Sequence, residues 1–230
     1  WASQFEREVS MNHLKLQLFD QESCEKLLER INREGEWLDG VLTAGSHAKG
    51  GKRNSQIKYD CLLREDLHGL VERFMWKNPA IKGYCLPRKL HRFLISKTEK
   101  GGGYDSHVDN AYMSSGRSDL SFTLSLTDDS LYAGGELEID SLSESYSFKL
   151  KQGEIIIYPS TSLHRVCTVT SGARIVCVGW IESYVKNEND RISLFQLESG
   201  ARGILAKQGR GDELDMIFLA YTNLLRRLGN

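Results

Sequence analysis

Residues 101–113 read "GGGYDSHVDNAYM", which sets His107 and Asp109 two apart directly after a run of glycines. On an extended chain, residues two apart project to the same face, so both side chains can address one ion. Alone, such a pair is as readily a polar turn between strands, and a metal site needs another ligand. His164, in "YPSTSLHRV", follows a predicted strand in the same region and supplies a second imidazole. Two imidazoles and a carboxylate on one side of an ion leave its remaining positions open, the arrangement used by non-haem Fe(II) oxygenases. A 2-oxoglutarate cosubstrate would chelate that ion through its keto-acid end and require a fixed cation for its far carboxylate. Arg174 stands ten residues beyond His164. Its guanidinium fork can grip a carboxylate through two parallel hydrogen bonds, which a lysine cannot match.

The elements that position these residues are strands. From residue 90, "LHRFLIS", "LSFTLSL", "GELEID", "YSFKLK", "GEIIIYP", "HRVCTV" and "RIVCVGWI" follow one another between Gly, Asp, Ser and Pro clusters. Short strands at such spacing predict an antiparallel sandwich, jelly roll or barrel. Pro159 closes one strand, having no N–H to give to a ladder. "GGEL" reads as a tight turn requiring positive φ before another strand. Helices flank this core. Residues 20–35 place Cys24, Leu27, Leu28 and Ile31 at helical spacing, with Asp20 or Ser23 as the start cap and Gly35 as the stop. Residues 64–78 put Leu67, Leu70, Val71, Phe74 and Met75 on one face and end at Pro79. Between them, residues 45–56 read as a polar loop leading into a short strand, out of register for a phosphate loop. Lys52, Arg53, Asn54 and Gln56 fit a solvated loop and a substrate-facing rim equally. The last stretch, "DELDMIFLAYTNLLRRLGN", carries Leu214, Ile217, Phe218, Tyr221, Leu224, Leu225 and Leu228 on one stripe, acids leading and arginines ending it. That stripe suits packing on the core or against a second copy, which leaves a homodimer open.

Composition narrows the class. A chain of 230 residues, 40% of them hydrophobic, can bury a full core. Thirty Lys+Arg against thirty-one Asp+Glu leave no global field to favour nucleic acid or an anionic membrane. No apolar run approaches the roughly 20 residues that cross a bilayer. The opening "WASQFEREVS" lacks the layout of a secretory signal, so the expected location is cytoplasmic. Five cysteines, odd in number and without a C-x-x-C pair, fit free thiols in a reducing compartment.

In these pieces the chain resembles the 2-oxoglutarate- and Fe(II)-dependent dioxygenases of prolyl 4-hydroxylase type, and more closely the bacterial PKHD-type hydroxylases. The likeness rests on "GGGYDSHVDNA", "RSDLSFTLSL", "GGELEI", "YPSTSLHRV" and "RIVCVGWI" in family order, with "GGKRNSQ" and "YTNLLRRL" beyond them. It implies an α+β fold: a double-stranded β-helix (jelly-roll) core with N-terminal flanking helices and a C-terminal helical extension. The implied division is a dioxygenase domain over 1–183, with a helical part at 11–80 and a β core at 84–183, then the extension at 184–230. By resemblance, His107, Asp109 and His164 are the catalytic iron ligands, Arg174 clamps the distal carboxylate of 2-oxoglutarate, and Tyr104 lines the cosubstrate pocket. Fe(II), 2-oxoglutarate, O₂ and the reductant ascorbate are the implied cofactors. The implied reaction hydroxylates an unactivated C–H bond, on a prolyl or related residue of a protein or peptide, and releases succinate and CO₂.

His91 and Phe93 depart from the family's Asn and Tyr, which puts them in doubt as site residues. His13, His47 and His68 have no suitable partners and read as surface or core residues. Metal-binding histidines must be neutral, so metal affinity is expected to fall as pH drops through their titration. Three competing readings stand beside the hydroxylase. One is a non-catalytic jelly-roll module, and another a metal hydrolase on the same scaffold. The third is a small-molecule or nucleic-acid oxygenase. Against a nucleic-acid demethylase, that branch's second arginine, six residues past the clamp, is Trp180 here.

Overall fold

Period-two alternation along the strand segments builds two antiparallel sheets that face each other across a partly polar interior. The computed structural model describes residues 8–9, 12–43, 49–113, 115–140 and 144–229, so His47 lies outside the described residues. In the major sheet the strands run in the spatial order Glu8–Val9, Leu14–Gln17, Glu154–Pro159, Leu120–Ser125, Ala173–Ser183, Pro87–Glu99, Ser55–Ile57 and Trp37–Asp39. The minor sheet runs Ser145–Phe148, Leu137–Asp140, Leu163–Val166, Gly103–His107 and Lys52–Arg53. With its flanking helices this is the α+β jelly-roll class that the sequence implies.

The strand "LSFTLS" shows how alternation divides the molecule. Leu120, Phe122 and Leu124 join the large core beneath helices α1 (Gln21–Glu34), α2 (Leu62–Lys77) and α3 (Pro79–Cys85). Ser121 and Thr123, equally buried, point the other way, into the space between the sheets. A smaller core of Leu137, Ile139, Leu150, Ile156 and Tyr158 joins the two sheets.

Several elements differ from the sequence expectation for local reasons. Of the two candidate caps for α1, Asp20 serves, accepting from the Ser23 N–H at 2.8 Å. α2 ends at Lys77, before Pro79 as expected, and a separate helix, not expected from the sequence, follows. Asn78 Oδ1 accepts from the Ala80 and Ile81 N–H groups and starts α3, with Pro79 at the first position, where a missing N–H costs nothing. Phe74 is exposed on α2 rather than buried, tilted against Phe19 at 4.8 Å. The N-terminal stretch also supplies strands: Leu14–Gln17 extends the major sheet, and Lys52–Arg53 and Ser55–Ile57 lie at the end of the segment read as a loop leading into a short strand. After the β region, α4 (Glu188–Gln208) and α5 (Asp212–Leu228) follow. Leu86, Val185 and Leu194 form a third cluster, covered by Tyr221, Leu224, Leu225 and Leu228. Within the α5 stripe only Leu214 is fully buried, the rest being partly covered. No helix among the described residues is long and apolar enough to cross a membrane, and the five cysteines are free.

One irregularity aims two residues of interest. Leu94 pairs with Val178 and His91 with Trp180, so Arg92 and Phe93 oppose the single Gly179, and Arg92 takes φ 38°. This bulge lets Leu90 and Phe93 both enter the helical core while His91 turns to the opposite face. Gly179 is required there, because a β carbon would stand 2.7 Å from Phe122 Cε1. Phe93 is fully buried, stacked 5.6 Å from the His68 ring, with its carbonyl accepting from Arg64 Nη1 at 3.2 Å. Phe93→Ala is therefore expected to cost about 3–5 kcal/mol, read from the urea midpoint at unchanged slope. A loss below about 1 kcal/mol, the scale of a single deleted methylene, would contradict that placement.

Candidate active site

His107 ends the strand Gly103–His107, and the antiparallel neighbour Leu163–Val166 sets His164 directly opposite it. Their ring centroids are 4.3 Å apart. Asp109 lies just past the strand end, its Oδ2 3.7 Å from His164 Nε2. One ligand atom from each of the three falls within 4.8 Å of the others, the only such cluster found among the described residues. The pairing slips between the two strands: His107 opposes His164, yet Tyr104 opposes Val166. Three residues on one side thus match two on the other. This lets Tyr104 and His107, of opposite parity, face the same cavity, and their rings stack at 3.7 Å.

Both imidazoles are held in one tautomer. His107 Nδ1 stands 2.8 Å from Asp105 O, and His164 Nδ1 stands 3.0 Å from Ser162 O. A carbonyl only accepts, so each Nδ1 carries a proton, and in the neutral ring it is Nε2 that keeps a lone pair for a ligand. Asp109 Oδ2 accepts from Ser121 Oγ at 2.6 Å. The Ser121 hydroxyl in turn adjoins Ser160 Oγ at 2.8 Å, and Ser118 Oγ donates to Ser160 at 2.9 Å. Two imidazoles so oriented and a hydrogen-bonded carboxylate form a donor set that fits Fe(II). Burial, reinforced by the neighbouring His164, pushes His107 down to about 4, so its ring is neutral near pH 7.

These groups open into a cavity of about 660 Å³ between the sheets, its mouth included. Arg174 lies on its major-sheet wall, 5% exposed, where burial works against the guanidinium charge and the Tyr132 side chain supports it. Room for that side chain comes from Gly135, whose β carbon would stand 3.0 Å from Arg174 Cδ. Gly134 and Gly135 take φ of 74° and 71°, as the "GGEL" turn requires. Tyr104 and Tyr158 line the same space, and burial raises the Tyr104 hydroxyl to about 12.

The structure therefore brings His107, Asp109, His164, Arg174 and Tyr104 into one cavity. His91 and Phe93 stay out of it. His91 Nδ1 lies 2.6 Å from Ser115 Oγ and Nε2 3.1 Å from Glu182 Oε2, which ties down the turn after Asp109. His13 is buried edge-on against Tyr146 and Phe148, and His68 lies on Phe93. Lys52, Asn54 and Gln56 line the cavity, which favours the rim reading over the solvated loop. Ser121, Ser160 and Tyr158 escaped sequence reasoning. The available signal was the alternation in "LSFTLSL", where polar residues hold every second position of an otherwise apolar strand.

Residues 91–182 match the family model of the 2OG-Fe(II) oxygenase superfamily. A PKHD-type hydroxylase of Synechococcus sp. (strain CC9311) is 78% identical over 219 residues, 95% of this chain and 100% of the relative. Another, from Prochlorococcus marinus (strain AS9601), is 52% identical over 96% of this chain and 100% of its own length. Among solved structures, a 2OG-Fe(II) oxygenase family oxidoreductase from Burkholderia pseudomallei shares the fold at TM-score 0.58 and 17% identity, covering 75% of this chain and 86% of that one. A Pseudomonas putida prolyl-4-hydroxylase does so at TM-score 0.54 and 14% identity, covering 75% and 92%. The class is thereby defined as a 2-oxoglutarate-dependent dioxygenase. Within it, the chain belongs to the PKHD-type hydroxylases.

His107 also makes a prediction in the metal-free protein. An unfolded histidine titrates near about 6.5, well above the value of about 4 in the fold. Protons then bind the unfolded chain more readily, so stability is lost as pH falls from about 6.5 toward 4. His107→Gln should lessen that loss, measured as the difference between urea midpoints at pH 7 and pH 5 in the two proteins. Identical differences would remove His107 from the titration.

Proposed function

We propose that this dioxygenase hydroxylates an unactivated C–H bond of a prolyl or related residue in a protein or peptide, releasing succinate and CO₂. The observation that carries the reading is the convergence of His107, Asp109 and His164 with Arg174 in one cavity. His107 Nε2, His164 Nε2 and the Asp109 carboxylate would hold iron. Arg174, buried at the major-sheet wall, would fork onto the distal carboxylate of 2-oxoglutarate, a fixed bidentate contact that selects a dicarboxylate by length. Tyr104, protonated and stacked on His107, walls the site and keeps that ring from turning. Ser121 holds the Asp109 carboxylate in orientation through its hydrogen bond to Oδ2. When bound, Fe(II) would activate O₂, with 2-oxoglutarate supplying two of the four electrons that O₂ takes and the substrate C–H bond the other two, and the enclosing sheets exclude water. The prolyl part of the proposal is supported by the name of a neighbour that shares this fold, the Pseudomonas putida prolyl-4-hydroxylase. We also propose residues 1–183 as the catalytic unit with 184–230 appended, supported by the family match ending at residue 182. Five free cysteines support a reducing compartment such as the cytoplasm.

Anaerobic addition of Fe(II) and 2-oxoglutarate should produce a visible metal-to-ligand charge-transfer band, and mass spectrometry of candidate peptides should then find a gain of one oxygen. His107→Ala or Asp109→Ala should abolish succinate formation. Full turnover in either would remove that residue from the ligand set, and product formation insensitive to 2-oxoglutarate would return the reading to the hydrolase. Ser121→Ala should weaken metal binding about 10–100-fold, measured by competition with a chelator. Arg174→Lys should raise the Kd for 2-oxoglutarate by roughly tenfold or more while leaving metal binding intact. An unchanged Kd would place the clamp elsewhere.

A further inference from the structure

Lys52–Arg53 and Ser55–Ile57 form one extended segment that crosses from the minor sheet to the major sheet, with Asn54 at the crossing. Alternation sends Lys52, Asn54 and Gln56 to the active-site cavity and leaves Arg53 exposed. An outer groove shares Lys52 and Asn54 with that cavity and continues past Arg53, Lys97, Lys100 and Trp37. Its charge is lopsided. Four basic side chains line it against two acidic ones, Asp39 and Glu99. Glu99 pairs with Lys97 at 3.4 Å and Asp39 Oδ1 accepts from the Val41 N–H at 2.9 Å, which leaves the groove a net excess of two positive charges. Gly101 and Gly102 leave one side of the groove without side chains, and a β carbon on Gly101 would meet only open space. An extended chain can therefore lie close to this backbone.

Lys52 marks where the groove enters the cavity. It is only 6% exposed, and its Nζ lies 5.2 Å from the Tyr104 ring centroid. A lysine so buried costs free energy unless a negative group attends its charge. Burial pulls it down to about 8, with Asp109 and Asp39 opposing the fall. Once Asp109 engages a cation it attends Lys52 less. Fe(II) and the dianion of 2-oxoglutarate cancel formally, so among the described residues lining the cavity Lys52 and Arg174 outnumber Asp109 by one positive charge. A nucleic acid would also complement this groove, but the chain as a whole carries a net charge of −1, which gives no field to gather a polyanion.

We infer that the substrate is an acidic peptide, lying in the outer groove with a carboxylate side chain beside the hydroxylated residue, held by Lys52 and the Arg53, Lys97 and Lys100 rim. This rests on the hydroxylase reading above. The test uses the full chain loaded anaerobically with Fe(II) and 2-oxoglutarate, and fluorescein-labelled decapeptides of alternating Glu-Pro, Gln-Pro or Lys-Pro. By anisotropy, the Glu-Pro peptide should bind about tenfold tighter than the Gln-Pro peptide and the Lys-Pro peptide weakest. Lys97→Glu with Lys100→Glu, both outside the cavity, should erase that preference while the charge-transfer band stays unchanged. Lys52→Met should reduce it as well. Equal affinity for the Glu-Pro and Gln-Pro peptides, or a preference that survives the double reversal, overturns the inference, as does a dT decamer binding tighter than the Glu-Pro peptide. Failure of the band to form in the unaltered protein removes the hydroxylase reading itself, whereas a normal band with no charge preference removes only the acidic-peptide assignment.

Discussion

The antiparallel register between Gly103–His107 and Leu163–Val166 is the constraint on which the site depends. Side-chain direction in a strand has period two, so a slip of one residue would turn His164 outward and bring the exposed Leu163 in its place. Gly103 helps to hold the register by close approach, since a β carbon there would stand 2.9 Å from Val166 O. The two carbonyls that orient the imidazoles, Asp105 O and Ser162 O, come from the same two chain segments. Ring position and ring tautomer are thus set by one pairing of backbones.

The interior between the sheets is an expensive place to keep such groups. Arg174 and Lys52 are both nearly buried, and each loses hydration there. The opposite face of the major sheet offsets this with a continuous apolar core, from Leu14 and Ile31 through Met75 and Phe93 to Ile157 and Cys177. The division is carried strand by strand, as Phe122 and Ser121 show within one segment. Stability is concentrated on the helical side, which leaves the other side open to polar chemistry.

Two bulges adapt this plan. One, opposite Gly179, sends Phe93 to the core and His91 to the turn behind Asp109. The other, between Tyr104 and His107, aligns a tyrosine with a histidine three residues away. Both change which side chains share a face without changing the order of strands, and both lie in strands that line the cavity.

Much of this was legible in the residues themselves. His107-x-Asp109, His164 and Arg174 point by their chemistry to the proposed metal site and carboxylate clamp, and the alternating strands and amphipathic helices state the class of fold, because such signals act over a few neighbouring residues. Asp20 as a cap and Gly134 and Gly135 in a positive-φ turn belong to the same local kind. What the tertiary structure alone decided involves partners distant in the chain. Pro79 begins a helix because Asn78 can cap it, and Phe74 loses its place in the core to Met75 and Val71. Ser121 becomes the orienting group for Asp109 only because its strand passes beneath the turn that carries the carboxylate. Lys52, Asn54 and Gln56 become a cavity wall only because their segment bridges two sheets. Bulges, register and the crossing of sheets are compromises among pairings made across tens of residues, and no short stretch of sequence contains the terms of that compromise.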